Sequence, residues 1–91
     1  MNISIKPEVA FREEADGKGI LYFRNEVFKI NKTSVYIWEK LQGKENTEVE
    51  ELVDIVAKKY NISKAIVRQD MVKFFKKMEG QGLIVIGGIK I

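Results

Sequence analysis

The 91-residue chain has no cysteine and no histidine. It therefore lacks disulfides, thiolate ligands, and the side chain that most often serves as metal ligand, proton shuttle and triad base. Glu13, Glu14 and Asp16 come nearest to a catalytic carboxylate pair, but they stand at a predicted hairpin end, where solvated charges are ordinary. No motif supports catalysis. We therefore expect a protein that is not an enzyme and needs no cofactor or metal.

Long hydrophobic runs are also missing. The longest, "GQGLIVIGGI", is much shorter than the roughly 20 residues that span a bilayer. The N-terminal "MNISIKPEVAF" has no apolar core typical of a signal peptide. We expect a cytoplasmic protein without membrane contact. Hydrophobic residues make up 45% of the chain and there is a single proline, which favours one globular domain over residues 1–91.

Three short strands are predicted in the N-terminal half. Val9–Glu14 precedes "ADGKG", whose Asp16–Gly17 pair suits a tight hairpin into Ile20–Phe23. The next two residues form a second turn into Glu26–Ile30. The pattern predicts a three-stranded antiparallel meander.

Helices are predicted to follow the strands. The first is capped by Asn31 or Thr33 and stopped by a left-handed Gly43. The second begins at a capping box, in which the Thr47 hydroxyl and the Glu50 carboxylate each accept from a backbone N–H, and it ends in "AKKY".

The third predicted helix, about Lys64 to Glu79, is apolar around an unusually wide part of its circumference. An arc of roughly 180°, against the usual ~100°, is occupied by Ile66, Val67, Met71, Phe74, Phe75 and Met78. So wide an arc lets the helix contact neighbours on two sides. It is either a central helix between the sheet and the other helices or one wall of an exposed groove. The segment "LIVIGGIKI" after it is predicted to form a strand, or a small hairpin about Gly87–Gly88.

The third strand, Glu26–Ile30, has a predicted partner on one side only. Outer strands of a meander expose a row of N–H and C=O groups, and this one lacks the proline and terminal charges that protect the first strand. An extended peptide can add there as a fourth strand, beside the third helix. The C-terminal segment or a second copy of the chain could also cover the edge. The sequence does not decide whether Phe28 or Lys29 turns its N–H outward.

Basic residues are concentrated late in the chain: residues 44–57 carry a net charge of −4 and residues 58–77 a net charge of +6. The second and third helices with the following segment are also typical of a winged-helix DNA reader, in which Lys64, Arg68 and Gln69 would face the bases. Against this alternative, the third helix uses much of its surface for apolar residues and the wing is short. Nucleic acid is therefore the second choice of partner.

Three segments, "INKTSVYIWEKLQG", "TEVEELVDIVAKKY" and "VRQDMVKFFKKMEGQGLI", resemble the PqqD family. This is the small protein of pyrroloquinoline quinone biosynthesis and the prototype of the recognition element for ribosomally synthesised, post-translationally modified peptides (RiPPs). The resemblance covers residues 7–84, and residues 85–91 form a tail. Order and spacing carry the match, including an Asn after the third strand, Ile37–Trp38 and a Gly43 stop.

The resemblance implies an α+β fold, a three-stranded antiparallel sheet followed by three helices in a winged-helix-like arrangement. It implies a non-catalytic peptide chaperone that captures the leader of a precursor peptide by strand addition and presents it to a modifying enzyme, often a radical SAM enzyme. A homodimer is a further partner to consider. The residues implied in peptide binding are Glu26, Val27, Phe28, Lys29 and Ile30 on the strand, with Val67, Asp70, Met71, Lys73, Phe74 and Lys77 on the third helix.

Overall fold

The computed structural model describes residues 1–87, which form two antiparallel sheets and three helices. In chain order the elements are β1 (Asn2–Ile5), β2 (Ala10–Glu13), β3 (Gly19–Phe23), β4 (Glu26–Ile30), α1 (Lys32–Leu41), β5 (Thr47–Glu48), α2 (Val49–Tyr60), α3 (Lys64–Gly80) and β6 (Ile84–Gly87). The α+β class with three helices is confirmed. None of the helices in residues 1–87 is both long and apolar enough to cross a bilayer.

The predicted meander is present as the sheet β2–β3–β4. At its first turn the Glu14 N–H donates to the Lys18 carbonyl at 2.7 Å, and Gly17 takes a φ of +88°. Such a φ costs a glycine little, because it has no Cβ to clash. The second turn has Arg24 at a φ of +52°, which suits a two-residue hairpin. Strand β4 spans the predicted residues Glu26–Ile30.

The prediction of a single sheet is wrong, because β5, β1 and β6 form a second sheet in that order. Strand β1 was not predicted: its partners come from the middle and the end of the chain, so no hairpin turn marks it. Ile3 of β1 pairs with Ile86, and Ile5 with Ile84. The C-terminal segment thus pairs with β1 through Gly87 rather than with β4. The remainder of the possible hairpin about Gly87–Gly88 lies outside the described residues.

The caps predicted for α1 are confirmed, whereas the cap predicted for α2 is wrong. The Asn31 side chain accepts from the Ser34 N–H at 2.9 Å, and Gly43 has a φ of +79°. The capping box is wrong, because Thr47 belongs to β5 and the N-cap of α2 is Glu48, which makes no side-chain cap bond. Glu50 instead binds Arg68 of α3. The Glu50 carboxylate is thus engaged by the Arg68 guanidinium and does not accept from the N-cap backbone N–H, as the capping box would require.

The core is enclosed by the two sheets and the inner faces of the helices. Trp38 of α1 is 1% exposed, as expected for a large aromatic on an amphipathic helix. Around it in one cluster lie Ile3, Leu21, Leu52, Phe75, Leu83 and Ile84. Both sheets therefore contribute to the core, and α3 is fixed against it by a buried stripe. That stripe consists of Val67, Met71, Phe75 and Met78.

Candidate functional site

Strand β4 has one unpaired edge within residues 1–87, because it pairs with β3 alone. Phe23 and Glu26 flank the two-residue turn, so the Glu26 N–H faces the Phe23 carbonyl. Backbone groups alternate in direction along an antiparallel ladder. We infer that Phe28 and Ile30 also face β3, whereas the N–H and C=O of Val27 and Lys29 point away from it.

A cleft of about 390 Å³ separates this edge from the C-terminal half of α3. We call it the edge cleft. It is lined by Val27, Phe28, Lys29, Ile30, Asn31, Ser34, Phe74, Lys77, Met78 and Gln81. Since β4 and α3 face each other across it, an additional extended chain would contact both a strand edge and a helix.

A second cleft, of about 420 Å³, continues along the N-terminal half of α3. We call it the apolar cleft, because most of its lining is apolar: Asn31, Thr33, Ser34, Ile37, Val56, Tyr60, Ile62, Ile66, Val67, Asp70, Met71 and Phe74. Asn31, Ser34 and Phe74 belong to both clefts. The two clefts therefore form one continuous surface, which we call the groove.

The wide apolar arc of α3 serves both the core and the groove. Phe75 is fully buried in the core, whereas Ile66 is 54% exposed and Phe74 is half-buried. Along α3 and its C-cap the groove is lined by residues four, four, three and four positions apart, namely Ile66, Asp70, Phe74, Lys77 and Gln81. That spacing places them on one face. Ile62 is also exposed at the rim of the apolar cleft.

Charge is distributed unevenly along the groove. The edge cleft is lined by Lys29 and Lys77 and, among the described residues, by no carboxylate. The apolar cleft has the carboxylate of Asp70 and, within the same part of the chain, no lysine or arginine. Lysine residues thus border one end of the groove, where Lys29 also borders a neighbouring pocket lined by Glu14 and Asp16, and the other end is apolar with a single carboxylate.

Two of the cations considered for DNA reading are held by α2. The Lys64 ammonium lies 2.9 Å from the Asp54 carboxylate. The Arg68 guanidinium donates two hydrogen bonds of 2.7 Å to Glu50, a geometry that strengthens an ion pair. The hydrogen bond from Arg68 lowers the pKa of Glu50, and the same bond raises the pKa of Arg68. Phosphate contacts would have to displace these partners.

A protein-family comparison matches residues 12–84 to the family described as coenzyme PQQ synthesis protein D, PqqD. The chain belongs to the PqqD family. The matched span includes every residue that lines the groove. A search of curated proteins found no match. Membership of the PqqD family therefore rests on the family model.

Two solved structures share the fold of this PqqD-family chain. One is the solution NMR structure of the PqqD truncation of Methylobacterium extorquens PqqCD, described as a functional and stand-alone RiPP recognition element. It is 14% identical, with a TM-score of 0.81 over 93% of this chain and 89% of that one. The other is TbiB1 in complex with the TbiA(beta) leader peptide, 21% identical, with a TM-score of 0.79 over 94% and 99% of the respective chains.

The structure brings most of the expected PqqD-type site residues together. Val27, Phe28, Lys29, Ile30, Phe74 and Lys77 line the edge cleft. Val67, Asp70, Met71 and Phe74 line the apolar cleft. Glu26 and Lys73 are exposed and line neither cleft.

Several groove residues were not named among the expected site residues. They are Asn31, Thr33, Ser34, Ile37, Val56, Tyr60, Ile62, Ile66, Met78 and Gln81. A signal existed for Ile66, which lies in the apolar arc of the third helix. Asn31 has two roles, since it caps α1 and also borders both clefts.

No cluster of acidic side chains in residues 1–87 could hold a metal ion.

Proposed function

We propose that this protein is a non-catalytic peptide-binding protein. It captures the leader of a ribosomally synthesised precursor peptide as a fourth strand beside β4 and presents that peptide to a modifying enzyme. The family resemblance suggests a radical SAM enzyme for this partner. The observation that carries the proposal is the unpaired edge of β4, which faces α3 across a continuous groove.

The groove offers two kinds of interaction to such a peptide. Val27 and Lys29 present outward N–H and C=O groups, and each hydrogen bond contributes about 1 kcal/mol net. A micromolar complex requires about 8 kcal/mol, so backbone pairing alone is too weak. A large apolar side chain buried in the apolar cleft adds about 1.5–3 kcal/mol. Strand pairing thus aligns the peptide with β4, and apolar anchors supply much of the affinity.

The comparisons favour the same function. The chain belongs to the PqqD family, and one structure of the same fold is a complex with a leader peptide. The other is described as a functional RiPP recognition element. The alternative of a DNA-binding regulator has no comparable support, and its proposed contacts Lys64 and Arg68 are engaged with α2.

An NMR titration tests the proposal. Synthetic peptides that tile any short open reading frames adjoining this gene are added to the 15N-labelled chain, with duplex DNA in a parallel series. We expect one peptide to shift amide signals from residues 26–30 and from the groove face of α3. The proposal is overturned if no peptide shifts them, or if only DNA binds, with shifts confined to Lys64, Arg68 and β6.

A further inference from the structure

The two ends of the groove carry opposite charges. Lys29 and Lys77 border the edge cleft, and Asp70 borders the apolar cleft. A peptide carboxylate is attracted at the first position and repelled at the second, and a basic side chain experiences the reverse. Complementary charges at such interfaces fix register and exclude wrong partners more than they add affinity.

The two positions are separated by a defined distance. From Asp70 to Lys77 there are seven helical steps of about 1.5 Å, which is about 10.5 Å along α3. An extended peptide rises about 3.4 Å per residue, so this distance corresponds to about three peptide residues. Strand side chains alternate between faces, so residues two or four apart point to the same side, and either spacing can serve the two clefts.

The chain directions determine which residue comes first. Strand β4 runs from the edge cleft towards Asn31, which borders the apolar cleft, whereas α3 runs from the apolar cleft to the edge cleft. A peptide that pairs antiparallel with β4 therefore runs in the direction of α3. Antiparallel pairing is slightly more stable per residue than parallel pairing.

We propose that the groove selects a leader segment in which a large apolar residue is followed, two or four residues towards the C-terminus, by Asp or Glu. This inference rests on the proposed function and adds the chemistry of the peptide to it. The apolar residue fills the apolar cleft beside Ile66 and Phe74. The acidic residue lies between Lys29 and Lys77.

Peptide selection with charge-reversed variants tests the inference. A randomised 12-residue peptide library displayed on phage is panned against the full chain, and the selected peptides are synthesised. We expect them to share the apolar-then-acidic spacing. Replacing the acidic residue by Lys should weaken binding about five- to thirtyfold, the range expected when two exposed ion pairs become repulsive.

The variant that carries both Lys29→Glu and Lys77→Glu should select basic residues at the same position. Both lysines are exposed, so we expect the fold to survive, and circular dichroism checks this. Lys76→Glu is the matched control, because Lys76 is an exposed α3 residue outside the groove lining. It should select the same peptides as the unchanged chain.

The outcomes separate the inference from the function on which it rests. Selected peptides that shift β4 amides but show no acidic preference overturn the inference and leave the proposed function intact. An acidic preference that persists in the double variant, or that Lys76→Glu abolishes, also overturns it. Failure to select any peptide that shifts β4 amides contradicts the proposed function itself.

Discussion

Two adjacent phenylalanines on α3 have different surroundings. Phe75 is fully buried in the core, and Phe74 is half-buried and lines both clefts. Their ring centroids are 5.4 Å apart, so the two side chains are in contact while they face different partners. A pair of substitutions can therefore separate stability from binding.

We expect Phe75→Ala to destabilise the protein by about 3–5 kcal/mol, because it leaves a large cavity in the core. Phe74→Ala should cost less, about 1–2 kcal/mol, since its ring is only partly buried against the core. Its main effect should be a loss of peptide affinity of about tenfold or more, as for a central anchor. Urea denaturation and a binding titration measure the two quantities. Equal stability losses, with unchanged binding by Phe74→Ala, would contradict this assignment.

At the residue scale, the sequence predicted the apolar arc of the third helix but not which partner each of its residues contacts. Phe74 and Phe75 both belong to the predicted arc, and only the packing of α3 assigns one to the core. Gly19 illustrates the same limit: a Cβ there would lie 2.7 Å from Val35 Cγ2 and 2.8 Å from Phe11 Cε1. Nothing in "GKG" shows that a helix and a strand approach this backbone.

At the scale of elements, the edge of β4 is the feature on which strand addition depends. The pattern "EVFKI" predicted the strand bounds correctly, because the turn at Arg24 marks the start of β4 and the Asn31 cap of α1 marks its end. It could not predict which backbone groups point outward. The register with β3 assigns the outward N–H to Lys29 and the inward one to Phe28.

We expect Lys29→Pro to weaken peptide binding about tenfold or more, because it removes one outward donor and places a ring in the path of the peptide. The fold should survive, since edge strands tolerate proline where the N–H faces solvent. Lys29→Ala is the matched control: it removes the side-chain charge and keeps the N–H. Binding measured by calorimetry should fall much further for proline than for alanine. Equal affinities of the two variants would exclude backbone pairing at this position.

At the scale of the whole molecule, the second sheet determines what remains available at β4. Strand β6 pairs with β1 across Ile84–Gly87, so this part of the C-terminal segment lies away from the β4 edge. Sequence reasoning could not settle the point, because β1, β5 and β6 come from the two ends and the middle of the chain. Pairing between distant segments has no turn motif in the sequence. The meander is marked by its two turns, and the start of α1 is marked by the Asn31 cap.

The central claim is that a bound peptide pairs with the backbone of Val27 and Lys29. Amide hydrogen exchange, read residue by residue by NMR in the free protein and in the saturated complex, tests it most directly. We expect Phe28 and Ile30 to be protected in both states through β3, and Val27 and Lys29 to gain protection only in the complex. A saturated complex in which Val27 and Lys29 exchange as fast as in the free protein would contradict the account.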